Sequence, residues 1–168
     1  ISSSMSTRGR IRQKMPTQLH VGAYMQNRTA LLQPYKKLNT NGPTDFPENI
    51  KESFGVEILE SNHVLNFRRG DTVFTAMRLV NNSNFLIPSA IESQMFIACH
   101  WYKDGKVYNW DGLRTMFELD LNGNSEYIQD IELAIPNEPG NYELIPDIVI
   151  EGKRWFGLNK SYKIQVII

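Results

Sequence analysis

The feature that most constrains the fold of this chain is a succession of short segments after residue 50 in which apolar and polar residues alternate. In "TVFTAMRLVNN", Val73, Met77 and Leu79 lie on one alternating set, and "EYIQDIELAI" follows the same rule. A period of two is typical of a strand with one buried face. Turn residues divide the segments at intervals of about 10–15 residues, without a helical pattern between them. The sequence predicts an all-β fold, an Ig-like antiparallel β-sandwich.

The part of the chain before these segments has a different composition. Residues 1–44 contain seven basic residues and no acidic one, whereas residues 45–168 contain eleven basic and eighteen acidic residues, a net charge of −7. Between them lies "LNTNGPTDFPENI", which has the composition of a loop or linker. We therefore predict a basic N-terminal extension or linker over residues 1–50, mostly irregular or partly helical, and a β-sandwich domain over residues 51–168.

The stretch "HWYKDGKVYNWDGLRT" concentrates aromatic rings around two Asp-Gly pairs. Asp104-Gly105 predicts a β-hairpin, which would bring Trp101 and Trp110 close together on neighbouring strands. Aromatic rings beside Asp, Asn, Glu and Arg also suit a sugar, whose C–H face stacks on a ring while its hydroxyls need planar polar partners. A sandwich of this type commonly buries a tryptophan, so a structural role for some of the rings remains an open alternative.

The arginine of this stretch allows two interpretations. Arg114 has acidic neighbours in Asp111 and in Glu151 of the later segment "EGKRWFG". These groups would suit contacts with a ligand. Alternatively, Arg114 pairs with Asp111 or Glu151 and thereby fixes two loops to each other.

Motifs for catalysis are not found. The sequence has no GxSxG elbow, no phosphate-binding glycine loop and no CxxC pair, and its three histidines lack metal-ligand spacing. The single cysteine, Cys99, is predicted to be a small buried side chain, with His100 pointing to the opposite face of the strand. Glu118 and Asp120 are expected on a solvated strand face. The sequence therefore predicts no enzyme activity, no cofactor and no metal in this chain.

Two motifs together indicate a family. "CHWYKDGKVYNWDGLRT" followed by "PNEPGNYELIPDIVIEGKRWFG" resembles a β-sandwich module of bacterial cell-surface polysaccharide proteins. The module is similar to the C-terminal carbohydrate-binding domain of ABC transporters that export O-antigen, a part of lipopolysaccharide. Versions of it are appended to glycosyltransferases and sugar-pathway methyltransferases. The resemblance runs from about Phe54 to Ile168, roughly two thirds of the chain.

The resemblance implies a non-catalytic, glycan-binding accessory module of a polysaccharide assembly or export system. Its partners would be a polysaccharide and the subunits of a parent enzyme or transporter. It also implies a cytoplasmic location, peripheral to the inner membrane through the parent complex. The candidate ligand-binding residues, from these motifs and the aromatic set, are Trp101, Tyr102, Trp110, Asp111, Arg114, Glu151 and Trp155.

Two other functions remain as alternatives. A protein-interaction or homodimerisation module would pair through edge strands, and the apolar end "IQVII" is the candidate edge. A coat or nucleic-acid-binding protein would use the basic arm. Seven positive charges in 44 residues is a modest density, and nucleic acid is the less favoured partner.

Overall fold

The computed structural model describes residues 36–37, 49–59, 63–89 and 94–168, and only the backbone of residues 36–37. This part of the chain is mostly β-structure, with one short helix, α1, over Ile50–Ser53. The strands in chain order are β1 (Lys36–Lys37), β2 (Phe54–Ile58), β3 (Leu65–Arg68), β4 (Thr72–Asn81), β5 (Phe85–Leu86), β6 (Met95–Lys103), β7 (Lys106–Asn109), β8 (Thr115–Met116), β9 (Ser125–Ala134), β10 (Gly140–Ile150), β11 (Arg154–Trp155) and β12 (Tyr162–Ile167).

Two sheets share one apolar core, which confirms the predicted sandwich. The smaller sheet has the order β9-β4-β2, and the larger has the order β3-β12-β10-β6-β7, with β11 paired to β10 and β8 paired to β6. Neighbouring strands run antiparallel with one exception within these sheets, the parallel pair of β12 and β3. Buried side chains from both sheets form a single cluster.

The alternation read from the sequence predicts the buried face correctly. In β4, Met77 and Leu79 are fully buried, whereas Phe74 points out of the sandwich and is 62% exposed. In β9, Ile131 and Leu133 are buried on the same rule. The pattern works here because each of these strands packs one face against the other sheet and leaves the other face to solvent.

The predicted hairpin forms between β6 and β7. Asp104 and Gly105 connect these strands with φ angles of 53° and 75°, both in the left-handed region. A two-residue turn of this kind matches the twist of the strands, and Asp-Gly tolerates it at little steric cost. The hairpin fixes where the chain leaves the sheet before Trp110.

Pro146 lies at a gap in the pairing of a central strand. On one side, β10 pairs with β6, and Pro146 lies opposite Cys99. On the other side, β12 pairs with β10 up to Leu144, and β11 resumes the pairing at Val149. Proline has no N–H to donate, so it is tolerated where no strand is paired on that side. Pro146 therefore lies at a short local edge within the sheet.

The expectation for the C-terminal segment is wrong. The residues of "IQVII" belong largely to β12, which lies between β10 and β3 and is paired on both sides. The segment therefore cannot be an open edge. In the larger sheet the terminal strands are β3 and β7, and all four residues of β7 are exposed.

The predicted N-terminal extension contributes residues 36–37 and 49–50 to the described structure. Lys36 and Lys37 form β1, which pairs in parallel with Phe85 and Leu86 of β5. Most of the residues for which a partly helical extension is predicted lie outside the described residues, as does most of the basic arm. Among the described residues, no helix is long and apolar enough to cross a membrane.

Candidate functional site

The candidate site lies on the outer face of the larger sheet. Along β6, Cys99 and Trp101 belong to the core cluster. His100 and Tyr102, at the alternate positions, point to the opposite side. Chain segments 109–115 and 151–157 lie over part of this outer face, because their side chains contact His100 and each other.

His100 is the buried centre of this arrangement. Its Nδ1 lies 2.7 Å from the carbonyl oxygen of Trp110, and its Nε2 lies 2.9 Å from Oδ2 of Asp147. A carbonyl oxygen only accepts, so Nδ1 carries the proton of the first hydrogen bond. The side chains of His100 and Asp147 are 2% and 1% exposed.

The second oxygen of Asp147 accepts three backbone hydrogen bonds. Oδ1 lies 2.8 Å from the nitrogen of Ile148 and 3.1 Å from those of Gly157 and Leu158. A carboxylate is well suited to this many donors. His100 and Asp147 therefore form a buried pair of polar side chains that contact each other. The pair holds the returning segment 152–158 against the gap beside Pro146.

Two indole rings pack around this pair. The indole of Trp110 lies flat on the imidazole of His100, with ring centroids 3.6 Å apart and planes at 20°. Trp155 lies 4.3 Å from the His100 ring and 5.6 Å from the Trp110 ring, at larger angles. Trp110 is 40% exposed, so one face is held by the protein while part of the ring meets solvent.

Arg114 holds the two segments together. Its Nε and Nη2 donate to the two carboxylate oxygens of Glu151, at 2.9 Å and 3.2 Å. Nη2 also donates to Asp111 at 3.1 Å, Nη1 donates to the carbonyl oxygen of Gly112 at 2.8 Å, and the guanidinium lies 5.1 Å from the centre of the Trp155 ring. The hydrogen bonds to Glu151 raise the pKa of Arg114, partial burial opposes them, and the hydrogen bond to Asp111 adds to the rise. Four of the five N–H donors of Arg114 are therefore already used within the protein.

Gly112 lets the segment lie close to β6. A Cβ atom at this position would overlap the carbonyl oxygen of Cys99, which belongs to the strand backbone and cannot move aside. Only glycine permits this approach. The second Asp-Gly pair therefore serves packing against the sheet, whereas the first serves a turn.

The structure divides the predicted ligand-binding residues into three groups. Trp110, Asp111, Arg114, Glu151 and Trp155 come together in the arrangement described above, which we call the Trp110–Arg114 cluster. Tyr102 lies on the same outer face but in a separate groove. Trp101 belongs to neither group.

The prediction that Trp101 binds a ligand is wrong. It is 1% exposed and packs edge-on against Tyr142 in the core, with ring centroids 5.9 Å apart. Trp110 stacks on His100, on the other side of the sheet, so the two tryptophans are not neighbours on one surface. Strand alternation explains the difference, because Trp101 follows His100 directly and must point the opposite way. Trp101 is therefore a core residue with no surface for a ligand.

The groove beside the β6–β7 hairpin was not predicted. It has a volume of about 620 Å³ and is lined by residues of the hairpin, β10, β12 and the chain before β3. Its polar members are Tyr102, Asp104, Asn141, Glu143 and Lys163. The signal available in the sequence was the alternating polar set of "GNYELIP" and "SYKIQV", which marks an outward face without showing which strands meet there.

The residues considered for catalysis have structural environments. Cys99 is buried, and burial raises the pKa of its thiol, which disfavours the thiolate. Glu118 is exposed, as expected, but Asp120 is buried and accepts a hydrogen bond from the backbone nitrogen of Ser89 at 2.8 Å. The expectation of a solvated strand face is wrong for Asp120, which serves to hold the loop at Ser89. No group of three metal-binding side chains occurs among the described residues.

Comparisons with known proteins give only distant likenesses. No family model matches the chain, and no curated protein matches it. Among solved structures, the CARDB domain of a Pyrococcus furiosus protein, solved in solution, has 12% identity and a TM-score of 0.38, over 68% of this chain and 94% of that one. Its crystal structure with di-metal ions has 15% identity and the same TM-score, over 68% and 93%. A family 123 glycoside hydrolase from Clostridium perfringens has 13% identity and a TM-score of 0.34, over 68% and 27%. We draw no functional conclusion from these likenesses.

Proposed function

We propose that this domain is a non-catalytic glycan-binding module and that its contact surface is the outer face of the larger sheet. The main support is that the ring of Trp110 is held in place by the protein and is still exposed. Its ring is fixed by stacking on His100 at 3.6 Å and is still 40% exposed. A ring that is already immobilised loses little conformational freedom when a sugar stacks on it, which favours binding.

The setting that we propose is a bacterial polysaccharide assembly or export system of the O-antigen type. The motif pair around Trp110 and Trp155 is the basis for this setting, since it resembles the carbohydrate-binding domain of O-antigen exporters. The parent protein would then supply an ATPase, glycosyltransferase or methyltransferase activity, and this module would recognise the polymer. The Trp110–Arg114 cluster shapes the surface, while Trp110 contacts the ligand.

The affinity of the full chain for bacterial glycans tests this proposal. Bacterial surface polysaccharides and their repeat units are titrated into the protein while tryptophan fluorescence is followed. We expect saturable binding with a dissociation constant of roughly micromolar to millimolar, because a sugar buries little apolar area and gives up hydration. Trp110→Ala is expected to weaken this binding by about tenfold or more.

The matched control is Phe74→Ala, which removes an exposed ring from the outer face of the smaller sheet. This variant is expected to bind as tightly as the unchanged chain. Equal losses in both variants, or binding that Trp110→Ala leaves intact, would place the contact elsewhere and contradict the proposal.

A homodimer is the second candidate, with a different edge from the one first expected. Strand β7 ends the larger sheet, all four of its residues are exposed, and Val107 is 52% exposed. A second copy of this chain can add its own β7 antiparallel to this edge. Sedimentation velocity without any glycan tests this: Val107→Lys should shift a dimer to a monomer, and a chain that is monomeric at all concentrations rules the dimer out.

A further inference from the structure

Three polar side chains form a row across neighbouring strands of the outer face. Tyr102 of β6 lies opposite Glu143 of β10, and Glu143 lies opposite Lys163 of β12. Residues directly opposite each other point to the same side, with Cβ atoms about 4.5–5.5 Å apart. A phenol ring, a carboxylate and an ammonium group are therefore placed side by side along one wall of the groove.

The polar groups of this row lack protein partners within the described residues, whereas those of the Trp110–Arg114 cluster have them. Within the described part of the chain, the side chains of Tyr102, Glu143 and Lys163 make no hydrogen bond or ion pair with another residue. Arg114, in contrast, uses Nε and both terminal nitrogens on Glu151, Asp111 and the backbone. One half of the outer face thus has satisfied polar groups, and the other half has polar groups ready for a ligand.

The pair of Glu143 and Lys163 matches the hydrogen bonding of a neutral diol. A carboxylate only accepts and an ammonium group only donates. Two neighbouring hydroxyls of a sugar can donate to Glu143 with one O–H and accept from Lys163 with the other oxygen. The Tyr102 ring beside them offers a face for the C–H bonds of the same sugar. Because the row carries both a negative and a positive charge, it favours a neutral sugar unit over a charged sugar unit.

The groove lies along the same strand as the Trp110 stack. Tyr102 follows His100 by two residues on β6, a separation of about 6.6 Å between Cα atoms on one face. Trp110 covers His100. An oligosaccharide that lies on Trp110 can therefore continue along β6 to Tyr102.

We propose that the groove formed by Tyr102, Asn141, Glu143 and Lys163 is a subsite for one neutral hexose unit, bound through a vicinal diol. This inference rests on the proposed glycan-binding function and adds a second ring and a sugar class to it. Trp110 and Tyr102 then hold neighbouring units of one chain.

The test uses the full chain and neutral probes of known structure: the methyl glycosides of mannose, galactose and glucose and their homo-oligosaccharides. Backbone and side-chain NMR shifts are followed, and saturable shifts at Tyr102, Asn141, Glu143 and Lys163 are expected. Tyr102→Ala should weaken the binding that these shifts report by about tenfold. Glu143→Gln should also weaken it, and salt should change it less than about twofold because the ligand is neutral.

Asp130→Asn is the matched control for Glu143→Gln, since Asp130 is an exposed carboxylate on β9 of the other sheet. Tyr102→Leu keeps side-chain bulk at the groove if Tyr102→Ala loses native NMR dispersion. Groove shifts that persist unchanged in both Tyr102 variants would overturn the subsite. Binding that shifts the NMR signals of Trp110 but not those of the groove residues would also overturn the subsite, while the proposed function would stand. No shift anywhere with any saccharide would overturn both. Binding confined to charged sugars, with steep salt dependence, would overturn the neutral class.

Discussion

The indole of Trp110 lies flat on the imidazole of His100, with 3.6 Å between the ring centroids, while the backbone carbonyl of the same tryptophan accepts the Nδ1 proton of His100 at 2.7 Å. One residue thus holds the histidine by its ring and by its backbone. The other nitrogen of His100 faces the buried carboxylate of Asp147. The exposed ring that we propose as a sugar contact is therefore anchored to a buried pair of polar side chains.

The buried pair of His100 and Asp147 predicts a large contribution to stability. Asp147→Ala should lower the free energy of unfolding by about 3 kcal/mol or more, because Nε2 of His100 and three backbone N–H groups lose the oxygens that face them. Urea unfolding measures this loss. Asp130→Ala, at an exposed carboxylate of β9, is the control and should change the free energy of unfolding by less than about 0.5 kcal/mol. Equal effects of the two changes would contradict the anchoring role of Asp147.

The hydrogen bonds of Arg114 predict a measurable contribution to stability. Arg114→Lys keeps the charge and loses the paired geometry with Glu151, so the free energy of unfolding in urea should fall by about 1 kcal/mol. Arg78→Lys is the control, because Arg78 pairs with Glu126 on an open surface. Its effect should be within about 0.5 kcal/mol. Equal effects of the two changes would mean that Arg114 does not hold the segments together.

Because Gly112 lies close to the backbone of β6, we predict that any side chain at this position destabilises the protein. Gly112→Ala should lower the free energy of unfolding by about 1–3 kcal/mol, as expected for an atom forced into a packed site. Gly55→Ala is the control: its new methyl group would meet its nearest neighbours at 3.6 Å, an ordinary contact, and stability should change little. A Gly112→Ala protein as stable as the Gly55→Ala protein would contradict the packing described here.

The buried tyrosines predict a loss of stability in alkali. Burial, together with Tyr108 and Glu138, raises the pKa of Tyr142 from its ordinary value of 10.0 to about 12. The unfolded chain therefore loses this proton first, so the contribution of Tyr142 is complete below pH 10 and is lost as the pH rises through about 12. Urea midpoints across this range should fall less steeply in Tyr142→Phe. The remaining fall belongs in part to Tyr162, whose pKa burial also raises. An unchanged slope would contradict this assignment.

Much of the sandwich follows from local patterns, and the candidate site follows from them only in part. Alternation predicts the buried faces of β4 and β9, and the Asp104-Gly105 pair predicts the hairpin, because both depend on neighbours in sequence. The register shift between Trp101 and Tyr102 at the hairpin is a different matter. It depends on how two strands pair, which local patterns do not encode. Trp101 and Trp110, predicted close together on neighbouring strands, lie on opposite sides of the sheet, because Trp101 directly follows His100 on β6 and Trp110 stacks on His100.

The groove shows the same limit over longer distances. Tyr102, Glu143 and Lys163 become neighbours only through the register of three strands. The pairing of His100 with Asp147 likewise spans 47 residues. Hydrophobic periodicity does not encode such contacts, although it marks each of these positions as belonging to an outer face.

Glycan binding at Trp110 is tested by the indole N–H region of the NMR spectrum, recorded on the full chain as bacterial surface polysaccharide repeat units are added. The chain has three tryptophans, and each gives its own signal: Trp110 reports on the exposed ring, Trp155 on the partly covered ring and Trp101 on the core. We predict a saturable shift of the Trp110 signal, a smaller shift of Trp155 and no shift of Trp101. Three unmoved indoles in a folded protein, with every repeat unit tried, would contradict a glycan-binding surface at Trp110.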